Sequence, residues 1–245
     1  MTVATVPANE PRIDVGWVVS STLKVLQRRA VDLLLISLPF VWLPSVLSAF
    51  LPEENRSLVL ARGLLGLVFV GGASLLTFRE LSGGARLTAW EAIGVGSRRF
   101  GTLWGVSLIS VAGAALGLVF LIVPGIILIA GRMAATTVAV AENKKAYESL
   151  DRAWSLSKGS KWRLAGLLGI AATVILALVV VPLLVLLLAS AALDDQLVDA
   201  IAAVGLGPVI EVLIAAVMTV GSAAAYTGLR IAKEGSAGDV AGTFD

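Results

Sequence analysis

The sequence predicts an all-α, polytopic membrane protein with six transmembrane helices, three interfacial amphipathic helices and both termini in the cytoplasm. Hydrophobic residues make up 58% of the 245 residues and charged residues only 15%. A soluble domain is usually about 45–50% apolar and about 25% charged. Several apolar runs also reach the length of about 20 residues that crosses a bilayer. Basic residues cluster in alternate connecting segments, as the positive-inside rule requires of cytoplasmic loops.

The predicted spans follow the apolar runs in chain order. The third and fourth runs are divided only by Pro124 and Gly125, which could form a turn between two spans or a kink within one. Segments 79–99 and 144–163 are both rich in Lys and Arg, so both are expected in the cytoplasm with an even number of crossings between them. Pro124 and Gly125 are therefore predicted to form an outer turn. The predicted spans are 30–51, 57–78, 102–123, 126–143, 164–190 and 208–229.

The remaining segments fit the same orientation. Basic residues flank the first and last spans on the predicted inner side, whereas segment 191–207 contains aspartates and no Lys or Arg. Both termini are therefore expected in the cytoplasm. The polar ends, 1–14 and 236–245, are predicted to be disordered tails around a membrane domain of residues 15–235.

A short amphipathic segment with a tryptophan and a basic cluster precedes each odd-numbered span. Such a helix suits the headgroup layer, where the indole ring straddles the interface and the cations meet lipid phosphates. The pattern suggests three parallel units, 15–78, 87–143 and 146–230. Alternatively, any six-span protein with basic inner loops looks periodic, and the prolines of the odd spans do not align. The residues predicted to contact lipid or a partner are Trp17, Arg28, Arg29, Trp90, Arg98, Arg99, Trp154, Lys158, Lys161, Trp162 and Arg163.

Three charged residues fall inside predicted spans, where ionisable groups are costly and are candidates for function. They are Arg62, Arg132 and Glu211, all in the outer half of the bilayer in the predicted orientation. Structural explanations compete, since Glu211 follows Pro208 as in the first turn of a helix and the arginines are long enough to snorkel. The functional hypothesis is that Arg132 pairs with Glu211 and that Arg62 attracts an anionic lipid headgroup.

The chain has no cysteine and no histidine. This removes thiol nucleophiles, the usual zinc and haem ligands, and the commonest general base near neutral pH. No nucleophile–base pair is evident at membrane depth, and no glycine-rich segment has the spacing of a phosphate-binding loop. We therefore expect no enzymatic activity, no catalytic residues, no metal site and no cofactor.

Three segments resemble a bacterial family of six-span membrane proteins. They are VPGIILIAGRMAATTVAVAEN, SLDRAWSLSKGSKWR and YTGLRIAKEG. The family is often described as the membrane domain of glycerophosphoryl diester phosphodiesterase, with YciC-like proteins as relatives. The resemblance implies an inner-membrane helical bundle without an established activity, and no phosphodiesterase, because that chemistry belongs to a separate soluble barrel. Ala153 and Ser157 depart from the family's Ser and Thr. The matching residues are Pro124, Gly125, Arg132, Glu142, Arg152, Leu156, Gly159, Tyr226, Leu229, Arg230, Lys233, Glu234 and Gly235.

The function expected from the sequence is that of a non-enzymatic, multi-pass protein of the bacterial inner membrane. It would bind anionic lipid headgroups or a partner protein in maintaining the envelope, with a homo-oligomer left open and no nucleic-acid partner. The alternative is a small transporter or lipid-translocating carrier, which the repeat and the prolines within spans favour. Against the alternative, no charged residue lies near the bilayer midplane, where transported substrates usually bind.

Overall fold

The computed structural model describes residues 13–50, 56–120, 122–190 and 193–235. Every regular element within these ranges is helical, which confirms the all-α prediction. Five helical stretches are long and apolar enough to cross a membrane, and a sixth apolar stretch, Gly125–Ala141, is shorter. The five stretches are Ala30–Ser48, Leu60–Ser82, Phe100–Gly117, Lys161–Ala189 and Gln196–Glu234.

The short amphipathic helices alternate with the apolar stretches along the chain. Two π-helical segments, Leu38–Trp42 and Ile201–Leu206, interrupt the α-helical stretches. The helices are α1 (Val15–Arg28), α2 (Ala30–Ser37), α3 (Leu43–Ala49), α4 (Arg56–Ser82), α5 (Ala89–Arg98), α6 (Phe100–Phe120), α7 (Ile122–Arg132), α8 (Ala135–Ala141), α9 (Ala146–Ser157), α10 (Lys161–Ala189), α11 (Asp195–Ala200) and α12 (Gly207–Glu234).

The prolines of the first span explain its π segment. Pro39 has no N–H to donate, and its ring would collide with the carbonyl one turn earlier. The chain adds a residue to the turn, and Leu43 N–H bonds Leu38 O, five residues back. The helix thus runs from Ala30 past the proline without ending, as the predicted first span requires.

The prediction that the last long helix begins at Pro208 is wrong. The chain is already helical from Asp195, and the second π segment joins α11 to α12 through a bond from Gly207 N–H to Ala202 O. The π turn lets the helix continue through a proline that would otherwise break it. Most of the predicted outer segment 191–207 is therefore helical, and Glu211 lies well inside a helix rather than in its first turn.

Pro124 and Gly125 lie in the first turn of α7 and do not themselves form the predicted turn. The reversal falls earlier, where α6 ends at Phe120 and α7 begins at Ile122. The two helices pack antiparallel, and a Cβ on Gly117 would lie 3.0 Å from the Gly125 Cα. A proline is tolerated in a first turn because the N–H there has no partner within the helix. Whether α7 and α8 form a span of their own stays a prediction, since the stretch Gly125–Ala141 is shorter than the other five.

Each short amphipathic helix packs closely against a long apolar helix. In α5, Ala92 packs against Gly72 of α4, where an added Cβ would meet the Ala92 carbonyl oxygen at 2.7 Å. The next turn of α5 places Gly96 against Val68, so the two helices run antiparallel. In α9, the Trp154 ring covers Gly131, with Cζ3 only 2.6 Å from where a Cβ would stand.

The first short helix closes the ring by packing on the last long one. The Trp17 ring of α1 lies against Gly228 of α12, and Thr22 approaches Gly221 one to two turns further along. Thus α1 contacts α12, α5 contacts α4, and α9 contacts α8. Each short helix therefore packs on an apolar stretch: α5 on α4, α9 on α7 and α8, and α1 on α12.

The core lies at the end of the bundle that contains the short helices. The stretches Gly71–Phe78 of α4 and Ala223–Arg230 of α12 are continuously buried. By contrast, α10 exposes apolar side chains such as Leu183, Val185 and Leu188 over its second half. The helices are therefore closely packed at one end and spread apart at the other.

Two residues of the predicted N-terminal tail, Ile13 and Asp14, pack on the helical bundle or cap one of its helices. Ile13 is fully buried against Gly228, and its carbonyl accepts a hydrogen bond of 3.0 Å from Arg163 Nη1. Asp14 caps α1 by accepting from Gly16 and Trp17 N–H groups. Residues 1–12 and 236–245, the rest of the predicted tails, lie outside the described ranges.

Replacing Gly96 by alanine tests the contact between α4 and α5. The new Cβ would overlap the Val68 carbonyl oxygen, which belongs to the backbone and cannot rotate away. We expect a loss of unfolding free energy of about 2 kcal/mol or more, measured by thermal unfolding in detergent. Gly94 on the same helix faces open space, so Gly94→Ala should instead raise stability by about 1 kcal/mol through helix propensity. Equal effects of the two substitutions would contradict the contact.

Candidate functional site

Five side chains form a closed ring of hydrogen bonds where α8, α9 and α12 meet. The chain turns sharply after α8 because Asn143 adopts a positive φ of 56°, a conformation that Asn tolerates better than most residues. This turn folds α9 back beside α8 and brings Arg152 to Glu142. Tyr226, Arg230 and Glu234 follow one another at intervals of four residues on α12, so they share one helix face.

The ring can be followed atom by atom. Arg152 Nε donates to Glu142 Oε1 at 3.2 Å, and Arg152 Nη2 donates to Glu234. Glu234 Oε2 accepts from Arg230 Nε at 2.9 Å. Arg230 Nη1 donates to the Tyr226 hydroxyl at 3.4 Å, and that hydroxyl donates to Glu142 Oε1 at 2.9 Å, which closes the ring.

The ring is buried more deeply on one side than on the other. The side chains of Glu142 and Arg230 are only 9% and 8% exposed, whereas Arg152 and Glu234 are about a quarter to a third exposed. The Tyr226 ring is fully buried and lies 5.5 Å from the Phe78 ring, centroid to centroid. Buried charges require partners, and every charged member of the ring has at least two.

The neighbouring groups favour the ionised form of Glu142. Burial acts to raise the pKa of Glu142, but hydrogen bonds from Tyr226 and Lys144 and the charge of Arg152 outweigh it and lower the pKa below its ordinary value. Burial acts to lower the pKa of Arg152, but hydrogen bonds and charge from Glu234 and Glu142 outweigh it and raise that pKa. Glu142 and Arg152 thus each stabilise the charged form of the other.

This arrangement suits a structural clamp better than catalysis. A general acid needs a raised pKa, whereas the pKa of Glu142 is lowered. Among the described residues, no group of three or more acidic side chains is placed to hold a metal ion. Lys233 Nζ adds a further tie by donating to Ser155 O at 2.8 Å. What the ring does is fasten the end of α12 to the hairpin of α8 and α9.

A smaller cluster has the same role in the first unit. Arg29, between α1 and α2, donates to Asp32 at 2.9 Å and to Glu80 near the end of α4 at 2.8 Å. Burial acts to lower the pKa of Arg29, but its hydrogen bonds with Glu80 and Asp32 outweigh it and raise the pKa. Arg29, which the sequence predicts to contact lipid or a partner, thus forms ion pairs with two carboxylates of this chain.

The charged residues of the spans pair differently from the hypothesis. Glu211 accepts hydrogen bonds from Arg62, whose Nε lies 3.0 Å from Glu211 Oε1, and Arg62 Nη1 also donates to Ser48 Oγ at 3.2 Å. The expected pair of Arg132 with Glu211 is therefore wrong. Residue 62 of α4 and residue 211 of α12 face each other because the two helices run parallel, with Phe78 and Tyr226 in contact sixteen and fifteen residues later. Arg132 lies elsewhere, on α7 facing α6.

The predicted interfacial residues divide into two groups. Trp17 and Trp154 lie half-buried against Gly228 and Gly131 of neighbouring helices. Lys161 stacks over the Trp154 ring, with Nζ 3.1 Å from its centroid. Arg163 bonds Ile13. Arg99 is half-buried, and the exposed members of the set are Arg28, Trp90, Arg98, Lys158, Trp162 and Arg163.

Sequence reasoning did not single out the ring, although all five of its members carry the family resemblance. The sequence does contain one pattern that indicates these contacts. A glutamate lies at or just after the end of α4, α8 and α12, namely Glu80, Glu142 and Glu234. Each of these carboxylates pairs with an arginine of a short helix or its end.

Comparison with protein-family models, curated proteins and solved structures found no match for this chain. The resemblance to the six-span family therefore stays a prediction.

Replacing Glu142 by glutamine tests the ring. The variant removes a charged acceptor of several hydrogen bonds, and we expect it to lower the unfolding free energy by about 2–3 kcal/mol near pH 7. Because the pKa of Glu142 is lowered by folding, its contribution is present above the ordinary value of 4.5 and is lost as the pH falls below it. The difference between wild type and variant should therefore narrow in acid. Tryptophan fluorescence during thermal unfolding measures it.

Asp151 provides the matched control, because it is an exposed carboxylate on α9, next to Arg152 in the sequence. Asp151→Asn removes the same charge and should change stability by less than about 0.5 kcal/mol. A Glu142→Gln effect as small as this control's would contradict the ring.

Proposed function

We propose that this chain is a non-enzymatic, multi-pass protein of the bacterial inner membrane that holds the acyl chain of an anionic phospholipid. In this proposal the membrane domain has six spans, the shorter pair α7 and α8 forming the fourth. The three units are parallel repeats related to the six-span family, and the short helices lie at the cytoplasmic side. The expected role is in maintaining the envelope.

An apolar cavity between α1, α10 and α12 carries the proposal. It has a volume of about 380 Å³ and is lined almost wholly by aliphatic side chains, among them Leu23, Leu167 and Val174. Its few polar groups are the hydroxyls of Thr22, Thr219 and Ser222, of which Thr22 and Ser222 bond carbonyls of their own helices. A cavity of this size and lining accepts a hydrocarbon chain better than a polar solute.

The positive charge near this cavity supports an anionic headgroup. Lys24 and Arg28 are exposed on α1, whose Leu23 and Leu26 line the cavity. Arg163 lies one turn before Leu167 on α10. Cations beside an apolar cavity at the inner surface match a phospholipid with a negative headgroup.

The packing of the two ends supports placing both termini on one side. Ile13 is in contact with Gly228, near the end of α12. The antiparallel hairpin of α6 and α7 likewise supports counting the fourth apolar stretch as a span, because it returns the chain to the end where α9 packs.

Filling the cavity tests the proposal. Gly221 lines it, and a Cβ there would find only Thr22 Oγ1, at 4.0 Å, so Gly221→Leu should project into the cavity without moving backbone. Displacing about two methylene groups at about 0.8 kcal/mol each would weaken phospholipid retention about tenfold. Native mass spectrometry of protein released from nanodiscs of phosphatidylglycerol and phosphatidylethanolamine measures retention.

Gly166→Leu is the control, since Gly166 is exposed on α10 and faces open space. It should retain phospholipid as the wild type does. Equal retention by the Gly221 and Gly166 variants would contradict the proposal.

A second candidate, a lipid-translocating carrier, is favoured by the surroundings of the pair of Arg62 and Glu211. The pair borders two cavities of about 470 and 510 Å³, one beside Ser45 and Pro208 and the other beside Phe40 and Gly66. π segments like those flanking these cavities occur frequently at functional sites. Dithionite quenching of labelled lipid in proteoliposomes distinguishes the candidates: quenching beyond the outer leaflet favours the carrier, and quenching confined to it favours the lipid-holding protein.

A further inference from the structure

A cavity between α6 and α7 contains polar groups that the described residues leave without partners. Its volume is about 440 Å³. Arg132, Ser107, Ser110 and Thr136 supply its polar groups, and aliphatic side chains form the rest of the wall. The cavity lies within the hydrophobic stretches of both helices, where polar groups without partners are costly.

The position of Arg132 is set by a glycine on the facing helix. Arg132 is the last residue of α7, immediately before the break at Met133 and Ala134. Its Nη1 lies where a Cβ on Gly113 would stand, so the absence of a side chain at residue 113 makes room for the guanidinium group. Arg132 thus reaches across to α6 inside the protein.

Many serine and threonine hydroxyls donate to carbonyls of their own helices, although the buried hydroxyls of Ser74 and Thr137 have no partner among the described residues. Thr77 and Thr227, for example, donate to carbonyls one turn back on their own helices, at 2.7 and 2.9 Å. Over the described ranges, Ser107, Ser110 and Thr136 make no hydrogen bond, and neither does the Arg132 guanidinium. A polar group left without a partner away from water costs about 1–3 kcal/mol, and a charged one costs more.

The carboxylates do not compensate this charge. Glu211, which the sequence analysis paired with Arg132, instead accepts a hydrogen bond from Arg62. No other described carboxylate lies within ion-pair distance of Arg132. A positive charge in a medium of low dielectric constant attracts an anion strongly.

We propose that this cavity binds a tetrahedral oxyanion, a phosphate monoester or diester, with Arg132 as its charge partner and Ser107, Ser110 and Thr136 as hydrogen-bond donors. The planar guanidinium group can bond two phosphate oxygens at once. The three hydroxyls then serve the remaining oxygens, which a carboxylate would not offer in that number. The source of the phosphate is a free solute or the headgroup of a lipid. The oxyanion site and the apolar cavity at α1 share part of one wall. Arg132 and the three hydroxyls do not line the apolar cavity.

The experiment uses the full-length protein and inorganic phosphate as the first probe. Phosphate is titrated at constant ionic strength in detergent, and thermal unfolding reports binding. Arg132→Gln should weaken the affinity about ten- to hundredfold. Arg98→Gln, which removes an exposed cation from α5, should leave it unchanged.

A second variant keeps the test decisive if Arg132→Gln does not fold. Ser110→Ala combined with Thr136→Val is nearly isosteric and removes hydroxyls that have no described partners to lose. Its stability without phosphate should match the wild type, while its phosphate affinity falls about tenfold.

The lipid source is tested separately in the Gly221→Leu background, in which the apolar cavity is filled. Phosphatidylglycerol retained from nanodiscs should then depend on Arg132 if the oxyanion comes from a lipid. If inorganic phosphate binds the wild type but not the Arg132 and hydroxyl variants, the ligand is a free solute. If phosphatidylglycerol retention is lost in these same variants, the ligand is a lipid headgroup. Wild-type protein that binds neither, or variants that bind as well as wild type, would overturn the site whatever the result for the apolar cavity.

Discussion

The close approach of each short helix to the long helix behind it is the contact on which the rest of this structure depends. Glycines at these contacts let the backbone of one helix, or the indole ring of a tryptophan, lie directly against the other helix. Gly72 and Gly96 do this between α4 and α5, Gly131 receives Trp154, and Gly228 receives Trp17. Small residues are what allow helices to pack where the solvent is hydrocarbon, because the hydrophobic effect does not then drive association.

The polar clusters follow from this packing. Folding α9 back beside α8 is what brings Arg152 to Glu142, and the same end of the bundle receives the last turns of α12 with Tyr226 and Glu234. The members of this ring all bond to one another, so the ring resists separation of the three helices. The opposite end has no comparable ring in the described residues, and the helices there spread around cavities that contain Arg62 and Arg132.

The sequence predicted the helical class, the membrane-type spans and the order of short and long helices, because hydropathy and charge act on whole segments. It missed features that depend on single tertiary contacts. Pro208 has the spacing of a helix start, but a π turn carries the helix through it. Trp17 and Trp154 have the sequence context of interfacial residues, yet glycines on other helices accept their rings. The partner of Glu211 depends on the register between α4 and α12, which no local pattern encodes. Glu142 and Tyr226 stood out only through the resemblance.

Cross-linking α1 to α12 tests most directly whether the first short helix packs on the last long helix. The chain has no cysteine, so only the introduced thiols can react. Thr22→Cys with Gly221→Cys places two thiols across the contact, since a Cβ on Gly221 stands 4.0 Å from Thr22 Oγ1. A short bifunctional thiol reagent should join them within one chain, as intact mass and gel mobility would show. Thr22→Cys with Leu188→Cys is the control, because Leu188 lies about 37 Å along α10 from Arg163, at about 1.5 Å per residue. The predicted result is efficient cross-linking within one chain in the first pair alone. No cross-link in that pair, or cross-links only between two chains, would contradict the packing of α1 on α12.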